Sequence, residues 1–192
     1  MEQEKRRCRW VNVKNPLSVK YHDHEWGNPH YDDKDLFEFL VLESFQAGLS
    51  WECVLNKREV LREAFDGFDY DQISRYDEEK INALCSYPNM IKNKLKIKAA
   101  VTNAKVFIEI QKEHGSFANY IWAFSDHKVI KNVYDQYHVT SALSDTVSKD
   151  LRKRGMKFVG SIIIYSYLQA IGMIDDHELG CDFYKRDGDD KG

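Results

Sequence analysis

Leu42-Glu43-Ser44-Phe45-Gln46-Ala47-Gly48-Leu49-Ser50-Trp51 closes an apolar run that begins at Asp35. Leu36, Leu40, Glu43, Ala47 and Trp51 recur at intervals of four, three, four and four, the spacing of one helical face. Phe37, Phe39, Val41, Leu42 and Phe45 make the other sides apolar too, and a helix apolar nearly all round is a buried one. The pattern predicts a core helix over about 33–48, capped by Asp32 or Asp33 and stopped at Gly48. It places the Glu43 carboxylate where a charge needs a partner. That partner is the question the sequence poses.

Working outward, Ser50 caps a helix over about 51–65, and Asp71 and Asp77 open shorter ones at about 71–75 and 77–86. Pro88-Asn89 marks a tight turn before a long helix, about 93–113, that ends at Gly115. Ser116 caps a short aromatic helix at about 117–124, and 125–142 reads as a long loop with room for a short extended piece. Ser144 starts a helix that Gly155 ends, and 158–172 is apolar nearly all round, a second core helix. Upstream, residues 8–31 are dense in aromatics and histidines and are broken by Pro16 and Pro29 into short turns. No segment has a strand period, and there is no internal repeat. The expected fold is all-α: one helical domain over 1–184, with a disordered tail over 185–192.

At 192 residues the chain can bury a real core as one domain or two small lobes. A net charge of −3 gives no global basic field, although local patches survive in such a total. No apolar segment follows the charged N-terminus, and the run 158–174 is too short and too mixed to span a membrane. A cytoplasmic chain is expected, with its four cysteines as thiols or metal ligands rather than disulfides.

Three features could carry chemistry. His177 and Cys181 stand four residues apart near one end, and Cys8 and His22 stand near the other. Two Cys and two His suit zinc, in a closed structural site that would join the N- and C-terminal segments. Spacing alone leaves this open against buried thiols and satisfied imidazoles, and tilts slightly towards the latter. The second feature is basic: Lys92, Lys94, Lys96, Lys98 and Lys105 follow Pro88 with no acidic residue among them, and Lys149, Arg152, Lys153, Arg154 and Lys157 face only Asp150. Charge runs are usually solvated faces, but two in an acidic chain point to phosphate-backbone contact. The third feature is aromatic. Trp10, Tyr21, Trp26 and Trp51 are each best explained singly as core, but with one buried carboxylate they could box a flat cationic group.

Cys8-Arg-Trp10, Tyr21-His22-Asp23-His24-Glu25-Trp26-Gly27, Leu42-Glu43, Gln46-Ala47-Gly48-Leu49-Ser50-Trp51, Lys153-Arg154-Gly155-Met156-Lys157-Phe158-Val159-Gly160, Tyr165-Ser166, Gln169-Ala170 and Asp176-His177 to Gly180-Cys181 are collinear blocks. Together they resemble the DNA-3-methyladenine glycosylase I family of the helix–hairpin–helix glycosylases. The resemblance implies a DNA-repair enzyme that flips 3-methyladenine out of alkylated double-stranded DNA and hydrolyses its N-glycosidic bond. It implies zinc on Cys8, His22, His177 and Cys181, and a base pocket of Trp10, Tyr21, Trp26, Glu43 and Trp51. It also implies a DNA-gripping hairpin at Pro88–Asn93, with Asn89, Met90, Ile91, Lys92 and Lys94 as contacts. Tyr21 and Trp51 would stack on the base while Glu43 accepts its N–H donors.

Three departures stand out: Asn89-Met90-Ile91-Lys92 where the hairpin usually carries glycine then arginine, Asp175 where asparagine is usual, and Ser18 in place of a tyrosine. The helix after the hairpin has no carboxylate from Asn93 to Phe107, so no separate base is assigned, and Glu43 is the catalytic candidate in a recognition and electrostatic role. No lysine is marked as a Schiff-base former, so the expected enzyme is monofunctional, without strand cleavage, and a monomer. The alternatives are a zinc-stabilised DNA-binding module without activity, and a zinc hydrolase with Glu43 as base. Four protein ligands argue against the latter.

Overall fold

The computed structural model describes residues 5–132 and 138–184, and most of its helices begin where a side chain accepts from their first amides. Asn15 caps α1 (Pro16–His24), and Asp32 caps α2 (Asp33–Gln46) by accepting from the amides of Lys34 and Asp35. Gly48 follows with φ of 76°, as its C-terminal stop requires. Ser50 caps α3 (Trp51–Leu55), and α4 (Arg58–Ala64) comes after a break at Asn56–Lys57, so the helix expected over 51–65 is two. The break brings Arg58 to Glu25 and Glu38, each at 2.6 Å.

Asp69 rather than Asp71 caps α5 (Tyr70–Ile73), and Asp77 caps α6 (Glu78–Cys85). Asn93 caps the 21-residue α7 (Lys94–His114), and Ser116 caps α8 (Phe117–Ala123). A two-residue β1 (Ile130–Lys131) precedes α9 (Ala142–Lys153). Ser141 and Ser144 form a capping box there, so α9 starts two residues before the expected Ser144. Then come α10 (Ser161–Ala170) and β2 (Ile174–Asp175). α10 starts later than expected because Phe158 takes a positive φ of 54°.

Every residue from Leu36 to Phe45 is buried, which makes α2 the centre of the core. The α10 helix lies against it: the Tyr167 hydroxyl donates to the Leu36 carbonyl at 3.1 Å. Asp33 joins α2 to α8 by accepting from the amides of Phe117 and Ala118, each at 2.8 Å. The expectation of no strand needs one correction. β1 and β2 pair in parallel, Ile130 opposite Ile174 and Lys131 opposite Asp175. Two-residue strands are too short to show a period in the sequence. The pairing nonetheless ties the 125–132 loop to the segment that leads into Asp176. Among the described residues no helix is long and apolar enough to cross a membrane. The tail expected over 185–192 lies outside the described residues.

The 27–30 loop is pinned to the end of α10 by Gly27 N–H to the Gln169 carbonyl at 3.1 Å and His30 N–H to the Ile171 carbonyl at 3.0 Å. Gly172 makes this contact possible. Its φ is 71°, and a Cβ there would lie 2.2 Å from the Asn28 carbonyl carbon and oxygen. Gly172→Ala is therefore expected to destabilise the protein by roughly 3 kcal/mol or more in chemical denaturation. A loss below about 1 kcal/mol would show that the loop yields easily.

Candidate active site

Two carboxylates are buried on α2, and they have opposite fates. Glu38 is 6% exposed and is met by two arginines: Arg58 at 2.6 Å and Arg62 at 2.5 Å. Glu43 is 3% exposed, and its Oε2 is buried with no hydrogen-bond partner. Desolvation without compensation pushes its carboxyl up to about 8. At neutral pH the fold therefore holds Glu43 mostly as the neutral acid.

Glu43 lines a cavity of about 360 Å³ together with Trp10, Tyr21, Trp26 and Trp51. All five residues expected in a base pocket are thus brought to one place, although they come from the N-terminal arm, α1, the turn after α1, α2 and α3. The indole N–H groups of Trp10 and Trp51 are also buried without partners. Residues of the cavity wall therefore carry two unanswered donors and one unanswered carboxyl oxygen. Tyr21 and Trp51 have ring centroids 4.9 Å apart and planes inclined at 46°, and these touching rings form one wall of the cavity. Trp10 contacts Tyr21 at 6.2 Å and Trp26 at 5.0 Å, both edge to face.

Behind this wall Cys8, His22 and Cys181 converge, with ligand atoms within 4.8 Å of one another and all three residues buried. The His22 Nδ1 meets Asp23 at 2.8 Å, which leaves Nε2 turned to the sulfurs, 3.5 Å from the Cys181 Sγ. His177 repeats the pattern. Its Nδ1 meets Asp175 at 2.7 Å, its Nε2 is buried without a partner, and its ring lies 5.1 Å from that of His22. Asp175, one of the departures, is thus the carboxylate that orients His177. Burial raises the Cys8 thiol well above its ordinary range, with the neighbouring Cys181 adding to the rise, and lowers His22 towards its neutral form. Two buried sulfurs, two carboxylate-oriented imidazoles and an orphaned Nε2 fit a tetrahedral divalent cation. Ser18, another departure, does not line the cavity; its buried hydroxyl accepts from the Asn12 amide at 3.1 Å.

The first basic stretch does not form one free face. Lys94 and Lys98 both pair with Glu78. Lys96 is 5% exposed and donates to the Phe45 and Ala47 carbonyls, each at 2.6 Å. Burial lowers its affinity for a proton. Of the residues expected as hairpin contacts, Met90 packs into the core and Ile91 is half-buried, while Asn89, Lys92 and Lys94 are exposed. Asn89 adopts φ of 59°, the conformation for which glycine is usual. The second basic cluster is better placed. Lys149, Arg152, Lys153 and Lys157 line a groove with Gly160 and Ser161 at the start of α10, whose first amides have no side-chain cap. Arg154 is turned away to Asp150 and Glu113.

The sequence reading missed a second set of cavity residues: Asn132, Tyr165, Gln169 and Asp176. Tyr165 and Gln169 are four apart on one helix, and this spacing in two blocks already quoted was the available signal.

Residues 10–185 match the family model described as methyladenine glycosylase. The chain is 39% identical over 181 residues to DNA-3-methyladenine glycosylase 1 of Escherichia coli (strain K12), covering 93% of this chain and 96% of the relative. It superimposes on a crystal structure of 3-methyladenine DNA glycosylase I with a TM-score of 0.90 at 39% identity, over 94% of this chain and 100% of that one. A variant of 3-methyladenine DNA glycosylase I in complex with 3-methyladenine matches with a TM-score of 0.87 at 33% identity, over 91% and 95%.

The Glu43 environment has a measurable signature. The folded protein holds the Glu43 proton up to about pH 8 while the unfolded chain releases it near 4.5. Stability from this group is therefore complete below pH 4.5 and is lost as pH rises towards 8. Glu43→Gln cannot ionise, so relative to wild type it should gain stability between pH 5 and pH 9, by an amount on the order of a few kcal/mol. Denaturation midpoints of both proteins across that range test this, and a difference that does not change with pH would mean that Glu43 is ionised and compensated in the fold.

Proposed function

The chain belongs to the methyladenine glycosylase family, and from that premise we propose that it excises 3-methyladenine from alkylated double-stranded DNA by flipping the nucleotide and hydrolysing its N-glycosidic bond. One observation carries the reading: a buried carboxyl without a protein partner, Glu43, opens on a cavity walled by Trp10, Tyr21, Trp26 and Trp51. A DNA-binding module needs no such feature, and burying it costs stability. An enzyme that must select a cationic base has a use for it.

Methylation at N3 makes the adenine ring cationic and weakens its bond to the sugar. The electron-rich ring faces of the wall attract a cation, and the Glu43 carboxyl can give up its proton to offset the charge. The base leaves as a neutral molecule, so no general acid is required. A normal adenine lacks the charge and gains neither interaction. Water completes the hydrolysis at C1′. Strand cleavage would need an amine at C1′, and among the described residues that line the cavity none is a lysine. Two surfaces are suited to the duplex: the exposed Asn89 and Lys92 of the hairpin before α7, and the basic groove at the start of α10.

Cys8, His22, His177 and Cys181 would hold zinc. With all four positions filled by protein, it would supply a structural cross-link between the two ends of the chain rather than reaction chemistry. The enzyme is expected to act as a monomer.

Incubation with methylated duplex and analysis of the released bases tests the function directly. Wild type should release 3-methyladenine, and Glu43→Gln, with the duplex limiting, should release it at least about 100-fold more slowly while remaining folded, because it holds the cationic base less well. Tight duplex binding with no released base would establish the inactive module instead. Cys181→Ala should lose stoichiometric zinc and a substantial part of its thermal stability together. Metal loss with unchanged melting would remove the structural role.

A further inference from the structure

Among the described residues Asp176 is the one cavity carboxylate besides those of Glu43 and Glu178, and its surroundings are unlike those of Glu43. It is half-buried. One of its oxygens accepts from the Tyr165 hydroxyl and from the Gln169 amide, each at 2.6 Å, and the other accepts from the Asn132 amide. All three donors are uncharged. Three hydrogen bonds fix the carboxylate rigidly and leave lone-pair capacity on it. A surface acid needs no such scaffold. This one is assembled from α10 and from the residues that follow β1 and β2.

Its tethers come from α10 and Asn132, which carry neither Glu43 nor the four rings of the wall. Ring contacts run from Trp51 to Tyr21, from Tyr21 to Trp10, from Trp10 to Trp26 and from Trp26 to His177, the neighbour of Asp176. Glu43 acts on Tyr21, at the far end of that series. The α10 helix also links Asp176 to the DNA side. Its first residues line the basic groove, while Tyr165 and Gln169, further along, both line the cavity and hold Asp176. A nucleotide whose phosphates lie at the groove and whose base reaches Glu43 must carry its sugar past the wall between them.

We infer that Asp176 is a second catalytic residue of the glycosylase reaction proposed above, facing the sugar of the flipped nucleotide and stabilising positive charge at C1′. The chemistry calls for such a group. As the C1′–N9 bond breaks, its electron pair leaves on N9 and neutralises the methylated base. The positive charge passes to C1′ and the ring oxygen. The oxygen of water then bonds to C1′, and a proton leaves to solvent. Glu43 opposes the charge where it starts, on the base, which favours the bound substrate. Only a group that opposes the charge where it arrives lowers the barrier itself. A fixed carboxylate meets that need without reorganising.

The test pairs kinetics with a charge-selective ligand. Asp176→Asn should bind free 3-methyladenine and undamaged duplex within about threefold of wild type, while its single-turnover excision rate falls about 100-fold. Wild type should also bind a duplex carrying a cationic pyrrolidine in place of the sugar at least about tenfold more tightly than one carrying neutral tetrahydrofuran, and Asp176→Asn should lose that preference. Tyr165→Phe, which keeps the carboxylate but removes one tether, should show an intermediate loss in both measurements. Zinc content and melting temperature of each variant separate these effects from damage to the neighbouring His177. Wild-type excision together with equally fast excision by Asp176→Asn, or an unchanged pyrrolidine preference, overturns the role of Asp176 alone. A wild type that releases no base overturns the glycosylase reading and this role with it.

Discussion

A carboxyl buried without a counter-charge is the constraint around which the molecule is arranged. Glu43 lies on a helix whose every residue from Leu36 to Phe45 is buried, and no side chain among the described residues answers its Oε2. Five residues away, Glu38 shows what the fold does when it aims at stability alone: it supplies Arg58 and Arg62. At Glu43 it supplies rings. The end of α2 is held equally firmly, since Lys96 reaches from α7 to the Phe45 and Ala47 carbonyls that the helix leaves without partners. A buried ammonium on two carbonyls is a costly device, and it fixes the turn between Glu43 and Trp51.

The rings in turn depend on contacts between the ends of the chain. Trp10 belongs to an N-terminal arm without helix, and Trp26 to the turn after α1. Cys8, His22, His177 and Cys181 gather behind them, and Asp23 and Asp175 set the tautomers of the two imidazoles. Closing a loop between residues so far apart in sequence is unfavourable in entropy. The same cluster also places Asp176 beside the cavity, because Asp176 lies between the Asp175 that orients His177 and His177 itself. The segment that would hold the metal and the segment that holds the second carboxylate are one.

Much of this was legible in the sequence because much of it is local. The α2 helix, its Asp32 cap and its Gly48 stop follow from spacing within one stretch, as do the Asn93, Ser116 and Asp77 ends of other helices. The five pocket residues were assembled through a resemblance, and the fold brings them together. What escaped is what depends on distant partners. Lys96 reads as one more lysine in a basic run, and only the approach of α2 makes it a buried cap. Ile130–Lys131 becomes a strand only because Ile174–Asp175 lies beside it. The spacing of Tyr21 and Trp51 escaped for the same reason. Composition names two rings near a carboxylate, but the 4.9 Å between them is set by how α1 and α3 pack.

Ring contact alone cannot account for selectivity. Aromatic faces stack on adenine and its methylated form alike, so stacking discriminates weakly between them. Charge has to do the rest. With its carboxyl at about 8, Glu43 costs on the order of 1.4 kcal/mol to ionise at pH 7. A cation about 4 Å away returns on the order of 4 kcal/mol at the effective dielectric of a protein site. A neutral adenine returns nothing and leaves the acid protonated. The balance favours the methylated base by a few kcal/mol, and it does so because burial holds Glu43 close to its switching point. A fully exposed glutamate would be ionised already and screened by water, and an arginine-paired one, like Glu38, would have no charge left to offer.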